Sequence, residues 1–553
     1  MNKFVRVVGL ALLVVALTAV GLVHAQDVKV LNSSLHMVGG DLETIDPGLS
    51  EASSSIEVVN QIFVGLTNQN VLTAEPGLGL ATGYDVSEDG KTFTFKLMDN
   101  VPWVRYNADS GAVEEIKDDA GNVRMVTAQD VVYGILRALN PETASPYSYI
   151  LLPYVVGAAE YNAGTGSADD VMVKATDDNT VEITSPDAFS FAPSIYGLWV
   201  ARAVPSWAID EAGDAWTEPE NIASNGPFAL KEWNHDESIV LIKNPYWPGS
   251  ADIPQPKLDE VVLRFLDPAQ AFAEYQAGNL DAADVPLESL EQVKSDPVLS
   301  TEYNTGSNPC TYYIGFDNTT APSDNVHLRR ALSFAIDRQS IVDNVTKGGQ
   351  IPAQWFARPG LTAAPTLEQY PDLGVKYDTE LAKAELELAK ADMGGEIPQL
   401  TFTYNDNAGH AAIAQAIQQM WKDTLGLDVQ LSAVESTGYF SKLSEDAPMI
   451  YRAGWCQDYS DASNFDDVFE STSSQNDPGY NNPEFDKLIQ EARLETDVAK
   501  RTELYAQAEQ IFSADDAGIA PIYWYTRNYL VKPNVEQAKS VTGNEAYFLW
   551  DKS

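Results

Sequence analysis

The chain is poor in the residues that carry most redox, metal and nucleophile chemistry. Its 553 residues hold two cysteines, five histidines and 35 lysines and arginines against 80 acids, a formal net charge of -45. Such a charge repels nucleic acid and anionic headgroups, which excludes both as partners and leaves solvation as the plain reading of the acidity. The four histidines past the first segment (His36, His235, His327 and His410), together with two cysteines, are poor material for a transition-metal site. No Gly-x-Ser-x-Gly elbow, phosphate loop or paired-histidine zinc motif occurs. The run Gly77-Leu78-Gly79-Leu80-Ala81-Thr82-Gly83 misses dinucleotide-fingerprint spacing by one residue and reads as a surface turn. Asp85-Val86-Ser87-Glu88-Asp89-Gly90 opens like a calcium loop, but Lys96 stands where the bidentate acid belongs. Cofactors and metals are therefore not expected. Long apolar runs are missing too, except at the start.

That start is a targeting signal. Lys3 and Arg6 precede the apolar run Val7–Val23, and Val23-His24-Ala25 offers small residues at cleavage spacing, giving a signal peptide over 1–25 and a mature start at Gln26. An uncleaved anchor is the competing reading, because the run approaches spanning length. No cysteine follows the run, so the lipid-anchoring signal is missing. Cys310 and Cys456 either pair in an oxidising compartment or stay as two small buried hydrophobes; composition does not decide.

What is present is mixed α/β patterning over a length sufficient for several cores. Lys91–Leu97 alternates as a strand with Phe93, Phe95 and Leu97 on one face, and Leu400, Phe402 and Tyr404 mark another. Ile413, Ile417, Met420 and Trp421 mark a helix from His410 to Thr424, stopped at Gly426. Leu328, Leu332, Ala335 and Ile336 mark a helix capped by Asp324. Residues 483–516 read as helix interrupted near Thr496, and the polar stretch Arg105–Arg124 as a surface excursion or hairpin.

Several runs, weak singly, are strong in this order. They are Leu42-Glu43-Thr44-Ile45-Asp46-Pro47, Gln61–Leu66, Glu88–Phe95, Val126–Tyr133, Pro141–Tyr147, Asn225-Gly226-Pro227-Phe228, Lys243–Trp247, Arg329–Leu332, Ala335–Arg338 and Ala453–Tyr459. Together, from about Leu42 to Pro533, they resemble the periplasmic oligopeptide- and dipeptide-binding proteins, extracellular solute-binding proteins of family 5. The oligopeptide-binding branch is the most similar within that class. The resemblance implies an α/β, three-lobed periplasmic-binding-protein fold: two hinged lobes closing on a ligand cleft, plus an inserted α/β domain. Lobe I would be 27–75, 205–309 and 526–553, lobe II 76–204 and lobe III 310–525. It implies an exported, non-enzymatic receptor of an ABC importer that captures short peptides and delivers them to permease subunits, a monomer touching the membrane only through the permease.

The branch carries a disulfide between Cys-Thr-Tyr-Tyr and Gly-Trp-Cys-x-Asp-Tyr runs, which implies a Cys310–Cys456 bond. Asp458 matches the acid that takes the peptide ammonium, against a surface or capping aspartate. Arg452 matches a basic residue that meets peptide carboxylates, against an exposed or paired structural arginine. His410 matches a histidine used for longer peptides, against a helix-start surface residue. Gly454 and Cys456 would lend main-chain groups, and Trp455 reads as packing rather than contact. Departures are Leu443 in place of a second arginine, with Lys442 adjoining it as a candidate, and Ser436 where a pocket tryptophan belongs. The alternatives are the same receptor with an oligosaccharide, opine, haem or metal chelate, and, remotely, a secreted hydrolase.

Overall fold

The computed structural model describes residues 28–553 other than 38, 39 and 437. The expected signal segment 1–25 and the mature start at Gln26 lie outside the described residues. Three sheets organise the chain. In the first, Val30–His36 runs parallel to Glu260–Leu266, which pairs antiparallel with Ser238–Lys243 and then Phe228–Asn234. The second is antiparallel and lies wholly within 81–184, in the order Ala81–Val86, Thr92–Leu97, Thr180–Thr184, Val173–Asp177. Phe93, Phe95 and Leu97 are buried, as their alternation requires. The third has seven strands and holds Ala282–Asp284, Ile519–Val531, Tyr303–Phe316, Ile450–Cys456, Thr401–Asn405 and Gln430–Val434 in that order, with Ile351–Pro352 beside Ile519–Val531.

Two unusually long strands tie the halves of the molecule together. Tyr303–Phe316 and Ile519–Val531 are antiparallel partners whose pairing slips between Ser307 and Thr311. The expected lobe I/III crossings, at 309–310 and 525–526, fall inside these two strands.

The large sheet is packed on both faces. Tyr312, Ile314 and Phe402 face one core with Ile413, Ile417 and Trp421. Tyr313, Tyr451 and Ala453 face another with Phe465, Phe469 and Phe512. The helix carrying Ile413 is Ala408–Leu425, capped by Asn407, whose Oδ1 accepts from the amides of Gly409 and His410, and ended by left-handed Gly426. The helix Val326–Phe334 is capped by Asn325 rather than by Asp324, the Asn325 Oδ1 accepting from Leu328 N at 3.0 Å. The interruption near Thr496 separates Pro483–Leu494 from Val498–Glu509. Val104–Asn107 and Ala112–Glu115 form a hairpin within the polar excursion. The glycine-rich run is not a surface turn but links the short strand Pro76–Leu78 to Ala81–Val86. A Cβ on Gly79 would stand 2.2 Å from the Gly65 carbonyl, so only glycine fits.

Many residues of the recognised runs are clamps. Asp46, buried, accepts two hydrogen bonds from Arg137 at 2.8 and 2.7 Å and one from Trp216 at 2.9 Å. Asn225 Oδ1 accepts from Val64 N, and Arg338 donates to the carbonyls of Ser333 and Ile336. Satisfying buried polar groups in this way fixes loops that apolar packing alone leaves free.

Cys310 and Cys456 are directly opposed on paired strands and are bonded. The bond closes a separation of 146 residues, worth about 4–5 kcal/mol in the chain-entropy account. Denatured, unreduced protein is expected to show no free thiol, and reduction to lower the urea midpoint; two titratable thiols before reduction would contradict the pairing.

Candidate functional site

The strand Ile450–Cys456 pairs along its whole length with Tyr303–Phe316 on one side. On its other side Thr401–Asn405 pairs with it only at Ile450 and Tyr451. From Arg452 to Cys456 that edge has no strand neighbour among the described residues, and these five residues line a cavity of about 1380 Å³. The cavity is larger than a typical small-molecule pocket. Residues from around all three sheets line it, with Glu57 and Arg202, Tyr147 and Trp199, and His410 and Phe440 among them.

Two charges inside it stand out because protein groups leave them without a counter-ion. Asp458 follows the strand. Its amide donates to Asn464 Oδ1 at 2.7 Å, and its carboxylate accepts from Asn464 Nδ2 at 3.0 Å and distantly from Tyr147 O–H at 3.5 Å. The Asn464 amide donates to the Asp461 carbonyl at 3.1 Å, and Arg501 grips the Asp461 carboxylate at 2.6 and 3.0 Å. No cation among the described residues reaches Asp458. Its remaining surface faces the cavity, and burial pushes its carboxyl up from 3.8 to about 7.

Arg452 is buried. It lies over Tyr312 at 4.9 Å and Phe440 at 5.9 Å, and donates to Tyr525 O–H at 3.0 Å and weakly to Asn405 at 3.4 Å. Its Nε has no acceptor, and no carboxylate among the described residues comes within ion-pair distance. Desolvating a charge without a counter-ion is costly, and a group of opposite charge at either residue would offset that cost.

The cleft is shut in this structure. Tyr154 O–H donates to Asp467 at 2.9 Å, Phe191 stacks on Tyr459 at 5.9 Å, and Arg501 lies over Phe191 at 5.1 Å. All three contacts join the segment around the second sheet to the part of the chain that packs beside Asp458: Tyr459 next to it, Asp467 on the following short helix, and Arg501 on the helix Val498–Glu509.

Of the residues expected at the site, Arg452, Gly454, Trp455, Cys456, Asp458 and His410 come to this one cavity. Trp455, read as packing, lines the cavity as well, and its Nε1 lacks a partner. His410 stands with Nδ1 3.5 Å from Tyr312 O–H at the start of its helix. Lys442 does not join them. It is exposed and off the cavity wall, whereas Leu443 turns into the core. Ser436 does line the cavity, its hydroxyl bound to the Asp406 carbonyl. Sequence reasoning missed Tyr147, Asn464, Asn405 and Tyr525. Tyr147 lay in a recognised run without a role, and the others are brought in only by the fold.

A protein of enclosing lobes with unpaired charges turned inward is a ligand-sequestering receptor by construction. Residues 75–477 match the family described as bacterial extracellular solute-binding proteins, family 5. The chain belongs to that family. It is 35% identical over 521 residues to the oligopeptide-binding protein OppA of Bacillus subtilis, covering 91% of this chain and 90% of that one. The murein tripeptide binding protein MppA of Escherichia coli superposes with TM-score 0.82 at 28% identity, covering 95% and 99% of the two chains. The unliganded open form of MppA superposes at only 0.69, with 27% identity and coverage of 95% and 98%. That drop accords with the shut cleft here. Among the described residues no helix is long and apolar enough to cross a membrane.

Asp458 has a cost that sets a prediction. Its proton is held more tightly in the folded than in the unfolded chain, so folded stability falls as pH rises from about 4 through about 7, and the cost is complete above that. Three pH units correspond to about 4 kcal/mol. Asp458→Asn is therefore expected to raise the melting temperature of ligand-free protein at pH 8 and to change it little at pH 4. Equal effects at both pH values in scanning calorimetry would contradict this assignment.

Proposed function

We propose that this protein is the extracytoplasmic receptor of an ABC importer and that it takes short peptides through their two charged ends. The observation that carries the reading is the pair Asp458 and Arg452: one half-buried acid without a cation, one buried cation without an anion, both lining one cavity. They stand six positions apart, a reach of at most about 20 Å of extended chain, so they bracket a ligand of a few residues. An ammonium at Asp458 and a carboxylate at Arg452 supply the missing charges. The unpaired edge from Arg452 to Cys456 offers main-chain groups to an extended ligand irrespective of its side chains. His410, Gly454, Cys456 and Trp455 complete the wall. The names of relatives, an oligopeptide-binding and a murein tripeptide binding protein, support the same ligand class.

On this reading lobe I (27–75, 205–309, 526–553) and lobe III (310–525) rock about the two long strands, and lobe II (76–204) moves with lobe I. Closure removes water from the ligand and presents a shut surface to the permease. The chain binds and releases its ligand unchanged, after export by a cleaved signal peptide over 1–25.

Calorimetric titration with tri-, tetra- and penta-alanine tests this. N-acetylation of the peptide that binds is expected to weaken it at least about 100-fold, because Asp458 is left buried and unpaired. Affinity of the free peptide is expected to rise from pH 5 to about 7, since ammonium binding needs the ionised carboxylate, and Asp458→Asn is expected to abolish that rise. Acetylated and free peptides binding alike would contradict the reading.

A further inference from the structure

We infer that Asp477 forms the floor of a side-chain subsite that selects a cationic residue, lysine or arginine, at one position of the bound peptide. The inference rests on the peptide reading above and adds a specificity to it.

Residues alternate faces along Ile450–Cys456. Arg452 turns to the face that carries Tyr312, while Tyr451, Ala453 and Trp455 turn to the opposite one, with Tyr313 and Tyr439. A ligand added to this edge as a strand alternates likewise, so successive side chains fall toward Arg452 and toward the opposite wall. That opposite wall of the cavity holds Tyr313, Tyr439, Ser444, Trp455 and Asp477.

Asp477 is the one carboxylate among these groups, and its surroundings fit a cation. Its Oδ1 is buried and has no hydrogen-bond partner. The Ser444 hydroxyl supports its ionised form, but no lysine, arginine or histidine among the described residues pairs with it, and burial raises its carboxyl to about 6. It stands near enough to Tyr313 and Tyr451 to oppose ionisation of both phenols. The Tyr451 hydroxyl and Trp455 Nε1, also on this side, are buried without partners. A lysine ammonium or guanidinium reaching in meets a desolvated carboxylate between aromatic walls, where salt-bridge and cation–π attractions add. An acidic side chain there meets repulsion. The cavity as a whole supports the same sign, with nine carboxylates and three arginines among its described lining residues. One of those arginines, Arg527, is already paired with Asp284 and Glu545.

The test is calorimetric titration of tri-alanine and of the three tripeptides with a single lysine in alanine, against wild type and Asp477→Asn. One lysine position is expected to bind at least tenfold more tightly than tri-alanine. Norleucine at that position is expected to lose the gain, and Asp477→Asn to bring the lysine peptide to the tri-alanine affinity. Tri-alanine itself is expected to stay within twofold, which shows the variant folded; the wild-type series decides on its own if the variant does not fold. Equal binding at every lysine position, or a gain that survives Asp477→Asn, would overturn the subsite. Failure of all four peptides to bind wild type would instead overturn the peptide reading, and the subsite with it.

Discussion

A half-buried carboxylate without a cation is the constraint on which the proposed site depends. Asp458 is carried to about 7 by desolvation, and the fold supports it with neutral dipoles from Asn464 and Tyr147 rather than with a charge. A lysine in that place would satisfy the site permanently and abolish its use. The same logic leaves Arg452 to phenol oxygen and aromatic faces. On the proposed reading each group lowers stability in the absence of ligand, and the arrival of opposite charges offsets that cost. Binding would thereby be tied to closure, because shutting the cleft lowers further the dielectric around groups that are already partly desolvated.

The sheet makes such a site adjustable without losing its precision. Arg452 and the loop holding Asp458 belong to one strand and its continuation, so their spacing is rigid. The strands Tyr303–Phe316 and Ile519–Val531 run through the crossings expected between lobes I and III, and the Cys310–Cys456 bond fastens the site strand to one of them. Slippage in their pairing between Ser307 and Thr311 relaxes the ladder beside that bond. The bond therefore holds the strand Ile450–Cys456 in register with Tyr303–Phe316, as the proposed movement of the lobes would require.

Much of the fold was legible, though unevenly. Alternation gave Thr92–Leu97, and apolar spacing with Gly426 gave Ala408–Leu425 within two residues. The run Gly454–Tyr459 carried the site strand and Asp458 together, because these residues are neighbours in sequence as well as in space. Lys442 failed for a helical reason. On Tyr439–Glu445 the buried positions are Tyr439 and Leu443, one turn apart, and the residue next to Leu443 is turned about 100° away. Asp477 and Asn464 carried no local signal, and Tyr147 lay in a recognised run that gave it no role. Asp477 gains its meaning only from the opposite face of a strand more than twenty residues earlier, a relation that periodicity within one segment does not express.

The most direct test is native mass spectrometry of the protein as purified, followed by denaturation and identification of what is released. The account expects excess mass made of peptides a few residues long with free amino and carboxyl ends. Release of a sugar, haem or metal chelate, with no peptide, would contradict the roles given to Asp458 and Arg452.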